Sequence, residues 1–167
     1  VYPLEADPAD FRVVPCTRRT EIEDVFAPCL LVSAGGKRLV FGAPVSQDWR
    51  GIGYVDAVLL MNGHPMASGG LIGLRAETWL DGRDGPLLVV AGDVQIESLQ
   101  AQDTAQSASD AILQVENPLE LEFRNAGLRA KPVPVNSVDF KVFDTGDLQV
   151  FASSQLTGSG DQLISYR

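Results

Sequence analysis

The sequence predicts an α/β domain in which parallel strands alternate with helices and are flanked by β-hairpins. Three observations carry this. Tyr54 to Gln102 reads strand, loop, helix, strand, helix, an order that implies parallel strands joined by crossovers. Two connectors, Ala34-Gly35-Gly36 and Asp144-Thr145-Gly146-Asp147, each sit between apolar runs and mark hairpins. The chain has 167 residues, 45% hydrophobic and 21% charged, ordinary values for one globular domain able to bury about two-thirds of its unfolded surface.

Taken in order, Val1 to Asp10 is acidic, holds two prolines and reads as an extended lead-in, leaving residues 11–167 as the single domain. Phe11 to Cys16 is β-prone, and the charged stretch Thr17 to Asp24 reads as a loop. Cys29 to Ser33 and Lys37 to Phe41 form the first hairpin, ended by Gly42-Ala43-Pro44. Val45 to Gly53, with Trp49, connects to the central strand and has room for a helical turn. Val55 to Met61 is a buried strand that breaks at Asn62-Gly63-His64-Pro65. The pair Gly69-Gly70 then leads into a helix over Leu71 to Leu80.

Asp81-Gly82-Arg83-Asp84-Gly85-Pro86 is a turn, and Leu87 to Ala91 a second buried strand. Asp93 is a suitable N-cap for a helix from Val94 to about Gln102. Gln102 to Asp110 is polar and reads as a surface loop or frayed helix end. Ile112 to Val115 reads as a short strand or turn, and Leu119 to Phe123 as a half-exposed strand. Two prolines make Lys131 to Val135 an edge or irregular strand. Asp139 to Phe143 and Leu148 to Ala152 form the second hairpin. Gly158-Ser159-Gly160 is a turn before a last strand, Gln162 to Tyr166.

A formal net charge of −9 with scattered Lys and Arg argues against nucleic-acid binding, which needs clustered cations. No apolar run approaches the roughly 18 residues of a membrane span, and no signal-peptide pattern is visible. These features point to a cytoplasmic protein. Cys16 and Cys29 are the only cysteines. They can pair across the intervening loop or stay free, and two buried free thiols is the plainer reading.

The stretch from Tyr54 to Arg75 organises the chain, because the loop after a strand's carboxyl end faces the ligand crevice of an α/β domain. With the hairpin Cys29 to Pro44, the motif stretch Val58 to Arg75 and the strand and helix Leu87 to Gln102, the chain resembles the metallo-β-lactamase superfamily. It looks most like the branch that holds ribonuclease Z and the phosphoribosyl cyclic phosphodiesterases. The resemblance covers roughly residues 11–157. It implies an αβ/βα sandwich, a mixed sheet flanked by helices, truncated at its C-terminus relative to the family.

The same resemblance implies a lost metal site. Against the family motif His-x-His-x-Asp-His, the four ligand positions are Asn62, His64, Met66 and Ala67. A thioether and a methyl group do not bind a hard divalent cation. The later family histidine corresponds to Asn136 or Ser137, and the bridging aspartate falls near Ser153-Ser154. His64 is the only histidine, and one histidine does not hold a dinuclear centre.

Each candidate also has a plainer role. His64 is a relic ligand or general acid/base, or a turn histidine satisfied by backbone, and the turn reading is preferred. Asp144, Asp147 and Asp161 suit turn chemistry better than a carboxylate pair. Asp56 lies near the start of the central strand, at the far end from the loop. A Cys–His nucleophile is disfavoured, and Trp49 and Trp79 suit a core. Gly69 and Gly70 allow close approach of a ligand or anion, or serve packing.

The expectation is a non-catalytic binding, structural or oligomeric subunit without a cofactor. It would form a homo-oligomer or heteromer, with a small-molecule ligand possible in the old crevice. The alternative is a hydrolase of phosphodiester or related ester bonds. Its atypical or metal-free site would be built on Asn62, His64, Asn136 and Ser154, with zinc or manganese if a metal is used.

Overall fold

The computed structural model describes residues 11–16, 28–117 and 121–167. The expected lead-in and the Thr17–Asp24 loop lie outside them. Among the described residues nine strands form two sheets. The larger has six strands in the order β1 (Arg12–Pro15), β2 (Leu30–Ala34), β3 (Lys37–Phe41), β4 (Ala57–Leu59), β5 (Leu87–Gly92) and β6 (Leu128–Val133). β1, β2 and β3 pair antiparallel, and β3 to β6 pair parallel. The smaller sheet is an antiparallel meander of β7 (Phe140–Asp144), β8 (Gln149–Leu156) and β9 (Gln162–Tyr166). Both expected hairpins and the parallel centre are present.

Side-chain alternation sorts the large sheet between two layers. Leu31, Val40, Val58 and Val89 pack with Leu71, Leu74 and Leu99 of the helices. Their neighbours Leu39, Leu59 and Val90 pack instead against Val142, Val150, Ala152 and Ile164 of the small sheet. The result is a mixed α/β arrangement: helices, mixed sheet, antiparallel sheet. No helix among the described residues is long and apolar enough to cross a membrane.

The helices are α1 (Pro65–Ser68), α2 (Leu71–Leu80), α3 (Ile96–Ala105) and α4 (Ser107–Glu116). The bounds of α2 are those expected, and its buried residues Leu71, Leu74, Arg75, Thr78 and Trp79 follow the helical period. Trp49 and Trp79 are both core residues. Asp56 accepts the Arg38 N–H (2.8 Å) just before β4.

Several expectations are corrected. Cys16 and Cys29 are joined in a disulfide, so they are not free thiols; both are buried and fix β1 to β2. Asp93 makes no cap: it opens a 3₁₀ turn, Asp93–Gln95, and α3 follows without a side-chain cap bond. Gln102–Asp110, expected as a surface loop or frayed helix end, and Ile112–Val115, expected as a short strand or turn, are instead divided between α3 and α4. The cause is tertiary: Arg75 gathers Asp103 from α3 and Asp110 from α4. Within Leu119–Phe123, Leu121 is a buried coil residue and Phe123 starts a 3₁₀ turn, so the described part is not a strand. The proline-bearing strand starts earlier than expected, at Leu128, and is an edge strand as its prolines require. Residues 45–53 form turns and no helix.

Candidate functional site

The motif loop leaves the carboxyl end of β4, beside the end of β5, where an α/β sheet offers its crevice. The small sheet closes over it. Met61 O accepts the Ile164 N–H (2.8 Å), and Leu60 O accepts the Tyr166 hydroxyl (2.6 Å). The Tyr166 ring stands edge-on to Phe41 at 5.5 Å. Burial keeps the Tyr166 phenol neutral far above its ordinary range.

Within the loop, polar groups are turned on the backbone. Asn62 Oδ1 accepts the His64 N–H (3.0 Å). His64 Nδ1 accepts the Met66 N–H (3.2 Å) and caps α1, which leaves Nε2 to carry the proton of the neutral ring. Met66 is half exposed and Ala67 buried. Asn136 Oδ1 accepts the Leu156 N–H (3.2 Å). Ser154 Oγ donates to Pro134 O (2.6 Å) and accepts from Gln162 Nε2 (3.1 Å).

The His64 side chain is thus bonded to the backbone of its own turn. Gly69 and Gly70 approach backbone carbonyls closely. A Cβ at Gly69 would lie 2.4 Å from Pro65 O, and one at Gly70 would lie 2.1 Å from Pro44 O. Their N–H groups donate to Pro65 O and Ala43 O. Asp144 and Asp161 hold turns: Asp144 Oδ1 accepts the Gly146 N–H (2.9 Å), and Asp161 Oδ1 accepts from Gln162 N (2.9 Å) and Gly63 N (3.3 Å).

Two glutamines not singled out in the sequence lie close to the backbone after β4 and at the end of β5. The Gln95 carboxamide lies so close to Gly63 that a Cβ there would sit 2.2 Å from Nε2. Gln162 is fully buried and faces Gly92, where a Cβ would sit 2.6 Å from its Oε1. Gln162 Nε2 also donates to Val133 O (2.8 Å), tying β9 to the end of β6. Gln95 Nε2 and Gln162 Oε1 have no partner among the described residues. The period of two along Gln162, Ile164 and Tyr166, all on the face toward the large sheet, was the signal for Gln162. Gln95 had none.

The donor set does not fit a dinuclear metal centre. Of the six positions, Met66 and Ala67 offer no hard donor, while Asn62, Asn136 and Ser154 are engaged by backbone. Among the described residues no three His, Cys, Asp or Glu side chains come together. Fold and site define a mixed α/β protein in which the carboxamides of Gln95 and Gln162 lie against Gly63 and Gly92. Compared with known protein families and with curated proteins, the chain finds no match.

Proposed function

We propose that the chain is a metallo-β-lactamase-like protein that has lost its metal site and works as a binding or structural subunit. The observation that carries this reading is the engagement of the motif side chains. His64, Asn62, Asn136 and Ser154 each satisfy a backbone group, while Gln95 lies against Gly63 and Gln162 against Gly92. The order of hairpin, strand, motif loop and helix, with one sheet against another, supports the superfamily fold.

An oligomeric role is supported by apolar surface at the sheet edge. Phe11 just before β1, Val13 of the edge strand β1 and Leu30 of β2 are 77%, 46% and 40% exposed, and apolar surface at an edge strand favours association. The Cys16–Cys29 disulfide supports an oxidising compartment in place of the cytoplasm expected from sequence, since such bonds are rare in reducing cytosol.

The test is hydrolysis of bis(p-nitrophenyl) phosphate with added zinc or manganese. The reading predicts background turnover, unchanged in His64→Ala. Turnover that depends on His64 would contradict it.

A further inference from the structure

A second polar feature lies apart from the motif loop. A depression of about 340 Å³ is formed by β8, β9 and the 134–139 loop, within the range of small-molecule sites, roughly 300–1,000 Å³. Its lining includes the hydroxyls of Ser137, Ser153, Ser154 and Ser165 and the carboxamide of Gln155. The remainder is aliphatic, and none of the lining residues is ionisable.

One wall is built in advance. Asn136 and Asp139 have φ of +55° and +51°, the only positive values at non-glycine positions among the described residues. Such backbone is costly and persists where its surroundings over-determine it. Here three bonds to β8 do so: Leu156 N–H to Asn136 Oδ1, Ser154 N–H to Ser137 O (2.9 Å), and Asp139 N–H to Ser153 Oγ (3.1 Å).

Hydrogen-bonding capacity is left over for a ligand. Ser154 is saturated by Pro134 O, Ser137 N and Gln162 Nε2. Ser153 accepts from Asp139 and retains its O–H. Ser165 has one long contact, 3.4 Å to Ser153 O, and retains its lone pairs. The Gln155 carboxamide makes no hydrogen bond among the described residues. Beside these groups, the side chains of Val138 and Leu163 are 80% and 49% exposed.

We propose that this depression binds a neutral polyhydroxylated ligand, a saccharide. Sugar hydroxyls both donate and accept, as the serine and carboxamide groups do, and the C–H face of a sugar ring suits exposed aliphatic side chains. An anion finds no cation in the lining, and a metal ion finds no carboxylate. The nearby charges of Asp139 and Arg167 neutralise each other at 2.8 Å. This inference rests on the reading of the chain as a binding subunit, and moves the ligand from the motif loop to the small sheet.

The experiment is a titration of the ¹⁵N-labelled full chain, separately, with maltose, cellobiose and inorganic phosphate, followed by amide shifts. The expected result is that a sugar shifts residues 137–139, 153–155 and 163–165 and leaves Asn62–Ala67 unmoved, while phosphate moves neither set. Ser165→Val combined with Gln155→Leu, both at exposed positions, should weaken sugar binding about tenfold, the loss of about 1.4 kcal/mol of hydrogen bonding. Its melting temperature should not change. Absence of shifts with both sugars, shifts of the depression by phosphate, or full binding by the variant would overturn the proposal. Sugar shifts confined to Asn62–Ala67 would overturn the site and leave the binding-subunit reading standing; metal-dependent hydrolysis would remove that reading instead.

Discussion

Arg75 meets Asp110 through two parallel hydrogen bonds, Nη1 to Oδ1 at 2.7 Å and Nη2 to Oδ2 at 2.5 Å, with both side chains buried. Arg75 Nε adds Asp103 at 2.6 Å. Burial works to lower the Arg75 pKa, but the bonds to Asp110 and Asp103 outweigh it and raise it overall. One guanidinium thereby joins three helices. Removing one partner of a buried pair leaves an uncompensated charge, so Asp110→Ala should cost about 3–5 kcal/mol in denaturant unfolding. Replacing Arg75 and Asp110 together by Met and Leu should cost much less.

Tyr166 links the two sheets through its hydroxyl bond to Leu60 O. Its folded pKa is raised by burial, whereas the unfolded phenol ionises near pH 10. The neutral form is therefore the folded form. This contribution is fully present below about pH 10 and is lost as pH rises above it. Tyr166→Phe should lose about 1 kcal/mol at neutral pH and show a flatter decline on the alkaline side. Denaturant melts from pH 8 to 11 would check both.

The Cys16–Cys29 disulfide closes a segment with a sequence separation of 13 and holds a four-residue edge strand. Such a closure stabilises by about 3 kcal/mol in the chain-entropy account. Reduction, or the double change Cys16→Ser with Cys29→Ser, should lower the melting temperature. The amides of β1 and β2 should lose hydrogen-exchange protection before those of β4 and β5.

Gly70 tests the close approach that positions the motif loop. A methyl group there meets the Pro44 carbonyl at 2.1 Å, and the Gly70 N–H donates to Ala43 O at 2.8 Å. Gly70→Ala should therefore destabilise by about 2–3 kcal/mol, the upper part of the usual overpacking cost. The same change at Gly82, with open space around it but φ of +89°, should cost about 1 kcal/mol from backbone alone.

Local pattern made the strands, both hairpins and α2 legible. Leu71, Leu74, Arg75, Thr78 and Trp79 repeat at the helical period, and Leu87 to Ala91 is an unbroken apolar run between turns. The region from Gln102 to Phe123 was not legible. Its helices bury few apolar side chains, with Ile112 and Val115 exposed, and are held by Arg75, a partner 28 residues before Asp103 and 35 before Asp110. The disulfide was open for the same reason: two cysteines in sequence do not state their separation in space. At the site, the chemical poverty of Asn62, Met66 and Ala67 could be read directly. The placement of Gln95 against Gly63 and of Gln162 against Gly92 could not, because these side chains come from the turn before α3 and from β9.

The central proposal is that Asn62, His64, Met66 and Ala67 hold no metal, and metal stoichiometry tests it most directly. Unchelated protein would be equilibrated with zinc or manganese, desalted, and measured by elemental analysis with native mass in the same run. The account predicts no stoichiometric metal and an unchanged result for His64→Ala. One or two metal ions per chain, lost on substitution of His64, would contradict it.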